Sequence, residues 1–518
     1  MNTLSNLAKL SGWLCLFTLL AEVAATEGHP VPPRPNIIIV MADDMGFSDL
    51  GCYGSEIRTP AIDRLAEEGI RFSHFYNCAV CGPSRASLMT GCYPWKVGQA
   101  PGQSIFRNLT RNCVTVMELL KAEGYETCAV GRLDMVTSDD WHDPAKVGLA
   151  VDRFLGAASN SPGNYYREIR GSDYASYPKG TPWFRDGKRW PRPQGPYSTD
   201  LISDFVADYI KGTAGSDKPF CIYVSHYAPH WPLQANQEDV EPYLALYRKK
   251  DRKKLMAERL QRLVASGLVP KGTQLHKAML KAKPAAGGYL ELERMALHAA
   301  MVESIDRTMA GTLAALEKAG KLENTLILVL SDNGASHQMA FDNRRKLPDG
   351  VRPGSMDTFL NHGPAVAALA GVPFKGYKVS NYEGGIASPL VAWWPEGVQN
   401  KGRISRQPTH IADILPTCLE LAGGSYPTEF GGRELIPLDG KSFASVLRNP
   451  DYPRDSSRTL AWPKALRKGD WKLVLERKGK PELYNLAQDR NERKDLAIQF
   501  PDRAKAMKQD HAKLFQRK

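Results

Sequence analysis

Two pairs of hard oxygen donors, Asp43-Asp44 and Asp332-Asn333, each follow an apolar run, Asn36 to Met41 for the first and Leu326 to Leu330 for the second. In an open parallel sheet, ligands collect at the carboxyl ends of strands, so two such ends can bring both pairs to one edge. Three carboxylates gathered there repel one another unless a cation lies between them. Oxygen donors of this kind suit Ca²⁺ or Mg²⁺ rather than zinc. Each pair alone reads equally well as a cap on the turn or helix that follows. Two pairs, each after a core strand, point to a metal.

The stretch Cys81-Gly82-Pro83-Ser84-Arg85-Ala86-Ser87-Leu88-Met89-Thr90-Gly91 is more specific. Pro83 suits the first turn of a helix and Gly91 its end. Cys81 then sits at a helix N-terminus, where the macrodipole favours an anion, and Arg85 lies one turn on. A lone cysteine is otherwise structural, or half of a disulfide with Cys78.

These residues need elements to position them. Asn36 to Met41 reads as a strand buried on both faces. Thr59-Pro60 reads as the cap and first turn of a helix that runs to about Glu68 and stops at Gly69. Thr115 and Glu118 form a capping-box pair. Glu126 to Gly131, Phe220 to Ser225 and Leu326 to Ser331 are further strands, and Met295 to Ala319 is a long amphipathic helix feeding the last. Alternation of such strands and helices predicts an α/β fold, a mostly parallel central sheet flanked by helices. Residues 155–200, rich in Gly, Pro, Ser, Tyr and Trp, read as a long ordered loop region over the site. Near the C-terminus, Trp471 to Leu475 and Glu482 to Leu486 alternate around the turn-forming Lys478-Gly479-Lys480-Pro481, which predicts a small antiparallel sheet. The expected division is a signal peptide at 1–25, a large domain at 30–425 and a small α+β subdomain at 426–518.

The chain has 518 residues, 42% hydrophobic and 24% charged, enough for a sizeable core and against wholesale disorder. Lys9, the apolar stretch Leu10 to Leu20 and the small residues Val23-Ala24-Ala25 read as an export signal too short to span a membrane. The expected location is secreted or periplasmic, with no stable membrane insertion after cleavage. Nine cysteines are sparse for a disulfide scaffold of this size, although five between Cys52 and Cys113 would allow a local bridge. Asn108-Leu109-Thr110 matches the N-glycosylation acceptor pattern. The net charge of +12 would suit anionic polymers such as sulfated glycans, or simply a solvated surface. The basic run from Arg248 to Lys254 leads into the helical pattern Leu255, Leu260, Leu263 and reads as the exposed face of an inserted helix. Export and the lack of a reader motif argue against nucleic acid.

Cys81-x-Pro83-Ser84-Arg85 followed by Leu88-x-Thr90-Gly91 resembles the signature of the sulfatases. The resemblance extends over most of the chain, through Asp43-Asp44, His230 within Ala228-Pro229-His230-Trp231-Pro232, Asp332-Asn333-Gly334, and Lys378 ahead of Tyr382-Glu383-Gly384-Gly385. It is closest to arylsulfatase-type members and implies an alkaline phosphatase-like fold. It also implies oxidation of Cys81 to formylglycine (3-oxoalanine) by a formylglycine-generating maturation enzyme. The aldehyde hydrate would attack the sulfur of a sulfate ester, and the covalent sulfate would be expelled as the aldehyde re-forms. One Ca²⁺ would be held by Asp43, Asp44, Asp332, Asn333 and the modified Cys81. Arg85 would hold the hydrate. Lys378 and His230 would bind sulfate oxygens, one of them donating a proton to the leaving group.

One stretch departs from the pattern. Sulfatases usually carry Gly-Lys-Trp-His where this chain reads Gly131-Arg132-Leu133-Asp134. Arg132 keeps a positive charge without being equivalent to lysine. Asp134 would serve as a base when the aldehyde re-forms, but adds negative charge beside a sulfate. Retuned activity, an unusual substrate and a weakened enzyme all remain open here; His142, close downstream, reads better as a plain surface histidine than as a compensating one. Two alternatives follow: a weakened homologue that binds sulfated glycans, and a phosphate or phosphonate ester hydrolase. The second would be expected to carry two metals and a Ser or Thr nucleophile. Loops at 155–200 and an insertion near 240–285 are expected to shape substrate choice.

Overall fold

The computed structural model describes residues 34–98, 109–110, 112–134, 151–157, 164–168, 182–288, 290–339, 347, 349–477 and 480–516. The expected signal segment with Cys15, Asn108, His142 and the turn residues Lys478-Gly479 lie outside them.

A ten-stranded sheet forms the centre. In chain order its strands are β1 (Asn36–Ala42), β2 (Ile70–Phe72), β3 (Glu126–Arg132), β4 (Arg153–Ala157), β5 (Trp183–Arg185), β6 (Lys188–Trp190), β7 (Phe220–Ser225), β8 (Thr325–Ser331), β9 (Leu390–Trp393) and β10 (Arg403–Ser405). They lie side by side as β10-β2-β9-β8-β1-β7-β3-β4-β5-β6. The five central strands from β8 to β4 are parallel. Antiparallel strands appear only toward the flanks. The mostly parallel sheet read from the sequence is therefore observed.

β1 explains why its apolar run is nearly continuous. Ile38 and Val40 join one core, with α1 (Pro60–Glu68), α4 (Ser198–Gly212), α5 (Gln237–Tyr247) and α8 (Glu291–Lys318) over that face. Ile37, Ile39 and Met41 join a second core under α2 (Cys81–Thr90), α3 (Val116–Ala122) and the helix Ile414–Leu421. Burying each such side chain is worth about 1.5–3 kcal/mol, so both faces of β1 fix its place.

Several local expectations hold. The Thr115–Glu118 capping box forms. Helix α2 begins at Cys81 and ends at Gly91, whose φ of 67° is the left-handed conformation of a helix stop. Others need correction. Thr59 does not cap α1 with its side chain. Its Oγ1 accepts from the Gly51 N–H (2.8 Å) and donates to Asp63 (3.0 Å), while the Ala61 and Ile62 N–H groups donate to Asp306 of α8 (3.2 and 2.7 Å). The described part of 155–200 is less a loop than an extension of the sheet through β5 and β6. All eight described cysteines are free, so Cys52 to Cys113 hold no local bridge and Cys78 does not pair with Cys81.

A four-stranded antiparallel sheet follows: β11 (Thr459–Trp462), β12 (Ala465–Lys468), β13 (Trp471–Val474) and β14 (Glu482–Asn485). It meets the large domain through a buried charge network at the short helix Glu383–Ile386. The Lys472 ammonium lies 2.9 Å from Glu383 and 2.8 Å from Glu492, and all three side chains are inaccessible. Glu383 also accepts from Tyr76 (2.9 Å) and Arg490 (3.1 Å). Burial, beside the Glu383 carboxylate, pushes Glu492 up from 4.5 to about 7.

Removing one member of a buried ion cluster strands the others, at about 3–5 kcal/mol. Lys472→Met is expected to lose stability of that order in urea denaturation. Because the folded pKa of Glu492 is raised, its contribution to stability is present below pH 4.5 and lost as the pH rises through about 7. Glu492→Gln should therefore gain on the wild type between pH 5 and pH 8. Parallel stability curves over that range would contradict the assignment.

Candidate active site

The register of the central strands builds the site. Ala42 of β1 pairs with Ser331 of β8, so the two chains leave the sheet side by side as Asp43-Asp44 and Asp332-Asn333. The turn is locked by the Asp332 N–H on Ala42 O (3.2 Å), the Asp44 N–H on Asp332 Oδ1 (3.2 Å) and the Met45 N–H on Ser331 Oγ (3.1 Å). On the other side of β1, Met41 pairs with Ser225 of β7, which leads into the loop carrying His230. Ser225 in turn pairs with Gly131 of β3, which ends at Arg132. A Cβ at Gly131 would sit 1.8 Å from Ser225 O, and its φ is +96°, so only glycine lets β3 close on β7 there. Four neighbouring strands thus deliver donors to one edge.

Two further segments come to that edge from outside the strands. Helix α2 presents Cys81, and the chain before the short helix α10 (Glu383–Ile386) presents Lys378. The Lys378 N–H donates to Ala335 O and the Val379 N–H to Ala79 O, tying Lys378 to both the Asp332 and Cys81 segments (3.0 and 2.8 Å). Gly334 has no room for a side chain, since a Cβ would meet Gly384 O at 1.9 Å.

Asp43, Asp44, Cys81, Arg85, Arg132, Asp134, His230, Asp332, Asn333 and Lys378, the catalytic and metal candidates named from the sequence, are all buried at this edge. Arg85 spans two carboxylates, with Nη2 3.1 Å from Asp43 Oδ2 and 3.0 Å from Asp332 Oδ2. Its Nη1 donates to Arg132 O (2.9 Å), to Tyr223 OH (3.3 Å) and to Ser225 Oγ. The guanidinium nearest Cys81 is that of Arg132, whose Nη2 lies 3.8 Å from Sγ and 3.1 Å from Asp134 Oδ2. Arg132 Nη1 donates to Asp43. Lys378 Nζ and Asn333 Nδ2 both donate to Asp44 Oδ1 at 2.6 Å. His230 Nε2 lies 3.6 Å from Asp44 Oδ2. Its Nδ1 is 2.7 Å from Trp231 O and must carry hydrogen to bond a carbonyl, which leaves a lone pair on Nε2 facing the carboxylate.

The electrostatics follow from burial and crowding. Burial, together with the neighbouring Asp43 carboxylate, pushes Asp332 up to about 8. Burial would also raise Asp44, but Lys378, His230 and Asn333 around it together outweigh that and hold its carboxyl well below the usual range. Burial lowers His230 to about 4 and raises Asp134, the latter against the pull of Arg132. Burial also pushes the Cys81 thiol up, so the helix N-terminus does not make it a ready thiolate.

The donor set fits a hard divalent cation. Asp43 Oδ1, Asp44 Oδ2 and Asn333 Oδ1 are buried and accept no hydrogen bond among the described residues. Ligand atoms of Asp43, Cys81 and Asp332, and of Asp43, Asp44 and His230, form two groups each within 4.8 Å. Three cations, Arg85, Arg132 and Lys378, face four carboxylates, Asp43, Asp44, Asp134 and Asp332. A divalent ion turns that deficit of one positive charge into a surplus of one, which a singly charged sulfate ester would neutralise.

Sequence reasoning missed the supports. Tyr223 and Ser225 hold Arg85, and their position at the end of a parallel strand was the available signal. Tyr165 OH donates to His230 O (2.9 Å), so part of the Tyr-rich segment does reach the site. Trp462 of the small sheet donates to Asn77 O (2.7 Å) just ahead of Cys81, and nothing local in the sequence marked it.

Comparison with known proteins agrees with this geometry. A sulfatase family model matches residues 35–425. An uncharacterised sulfatase of Schizosaccharomyces pombe is 28% identical, with 90% of this chain and 91% of that protein covered. The steryl-sulfatase of Rattus norvegicus is 30% identical over 82% of this chain and 74% of its own length. Among solved structures, Ps i-CgsB in complex with k-i-k-neocarrahexaose superposes with a TM-score of 0.67 at 26% identity, covering 93% of this chain and 92% of that one. With the family match extending from the first strand through the helix behind Cys81, the chain belongs to the sulfatases, the sulfuric ester hydrolases.

Proposed function

We propose that this sulfatase cleaves a sulfate monoester carried by a carbohydrate, using a formylglycine made from Cys81 and one Ca²⁺ held by Asp43, Asp44, Asp332, Asn333 and the modified side chain. The observation that carries the reading is the set of buried oxygens that accept no hydrogen bond among the described residues, beside Cys81 and ringed by Arg132, Lys378 and His230. The resemblance of the fold to a protein solved with k-i-k-neocarrahexaose favours a carbohydrate over a small aryl substrate. When present, formylglycine supplies a hydrate oxygen as nucleophile and calcium draws charge from the sulfate oxygens.

The chain's own residues do the rest. Arg85 fixes Asp43 and Asp332 at one spacing, so the ligand set is rigid before any ion binds. Arg132 is placed to hold an oxygen on residue 81. Lys378 and His230 flank Asp44: the Lys378 ammonium would bind a sulfate oxygen and pass a proton to the departing alcohol, and His230 would take either part only with a proton on Nε2. Asp134, 3.1 Å from Arg132, is placed to take a proton from the side chain at position 81. Its pairing with Arg132 makes the two together neutral, so the departure from the usual Lys and His leaves less positive charge for sulfate without leaving a bare carboxylate.

The reading includes export directed by residues 1–25, maturation by a formylglycine-generating enzyme, a catalytic domain at 30–425 and a C-terminal subdomain at 426–518. Among the described residues no helix is long and apolar enough to cross a membrane.

Co-expression with a formylglycine-generating enzyme should give turnover of an aryl sulfate well above that of an aryl phosphate. Peptide mass spectrometry should show an aldehyde at position 81, and Cys81→Ala should abolish turnover. Preference for the phosphate, or full activity in Cys81→Ala, would refute the proposal. Asp134→Asn is expected to lower kcat by about 10²–10⁴, the usual contribution of a general base, while inorganic sulfate inhibits more strongly because a negative charge is gone. Unchanged kcat would remove Asp134 from the mechanism.

A further inference from the structure

Residues 248–283 hold twelve Lys and Arg against two Asp and Glu, whereas the other 482 residues hold 56 against 54. Nearly all of the chain's +12 therefore resides in this one segment. It folds as α6 (Arg252–Ala265) and α7 (Lys277–Leu280) with their connections. Its inner face explains its folding: Leu255, Leu263 and Met279 are buried, and Arg259 bonds Asp49 and Glu56. Arg252 and Arg262 also bond their surroundings, whereas the exposed lysines Lys249, Lys253, Lys281 and Lys283 have no part in that packing.

Arg252 Nη2 donates to Ala282 O at 2.9 Å, which brings the end of α7 to the start of α6. Lys281 and Lys283 thereby gather beside Lys249, Arg252 and Lys253. Lys250 is taken by Glu258 and Arg252 by Glu291. Lys249, Lys253, Lys281 and Lys283 are exposed and have no ion-pair partner among the described residues. Like charges so placed repel one another and gain from an external anion.

One helix links the segment to the chain that carries Lys378. Both α6 and α7 pack on α9 (Gly363–Ala370). Tyr377, the neighbour of Lys378, packs on Ala367 and Ala370 of the same helix and stacks on His337 at 5.3 Å between ring centres.

We infer that the segment 248–283 is a docking surface for a sulfated polysaccharide, holding its repeated anionic groups while one sulfate ester occupies the site. The inference rests on the reading of that site as a sulfate ester hydrolase. A polyanion gains from several contacts at once and releases counterions, so its binding falls steeply with salt. A small aryl sulfate makes none of these contacts.

The test uses the full chain and the triple variant Lys253→Glu, Lys281→Glu, Lys283→Glu, none of which touches the catalytic groups. Binding to dextran sulfate, uncharged dextran and double-stranded DNA is measured at about 50 and about 200 mM salt, beside aryl sulfate turnover. The wild type should bind dextran sulfate alone, weakening at least ~10-fold with salt. The triple variant should bind ~100-fold more weakly with kcat/KM on the aryl sulfate unchanged. Equal binding by the two proteins overturns the proposal, and so does DNA binding as tight as that of dextran sulfate. Lysine-dependent binding without release of inorganic sulfate from either the aryl sulfate or the dextran sulfate by either protein would support the surface and overturn the catalytic reading instead.

Discussion

Parallel register between two central strands is the constraint on which the rest depends. Because Ala42 lies opposite Ser331, Asp43, Asp44 and Asp332 leave the sheet at one point, in a place without water access. Buried like charges are costly, and the protein answers with Arg85 across Asp43 and Asp332 and with Lys378 on Asp44. That answer is incomplete: Asp332 still rises to about 8, and Asp43 Oδ1, Asp44 Oδ2 and Asn333 Oδ1 accept no hydrogen bond among the described residues. What remains is a demand for positive charge, and we propose that a hard cation meets it.

The same charge balance makes sense of the Arg132–Asp134 pair. A lysine and a histidine at these positions would add positive charge around residue 81, whereas the pair adds none. Arg132 also bridges Asp43 and Asp134, so the carboxylate at position 134 is held by the same guanidinium that binds Asp43. The small C-terminal sheet supports this edge from behind. Trp462 holds the backbone ahead of Cys81, and Lys472 holds Glu383, five residues after Lys378. Both segments that reach the site from outside the strands are thereby anchored to one support.

Features governed by short-range physics were legible in the sequence. The apolar runs of β1, β7 and β8 read as buried strands because both faces are covered, and the Thr115 capping box and Gly91 stop need only neighbouring residues. Oxygen donors after two such runs were legible because parallel strands end together. Long-range choices were not. The N-terminus of α1 is capped by Asp306, more than two hundred residues away, rather than by the adjacent Thr59. Lys472, Arg490 and Glu492 are ordinary charged residues in sequence, and only the fold buries them against Glu383. Lys378 was singled out through the resemblance to sulfatases alone, and His230 through that resemblance with its flanking prolines and the strand before it, since an isolated lysine or loop histidine carries no signal of its own.

The most direct test of the account is the calcium content of the matured chain beside that of Asp332→Ala, both stripped with chelator and dialysed against micromolar calcium. Retention of about one Ca²⁺ per wild-type chain, with most of it lost in the variant, is the result the account predicts. Equal calcium in the two proteins would mean that the converging carboxylates answer their own repulsion by protonation and that the ion, if any, is held elsewhere.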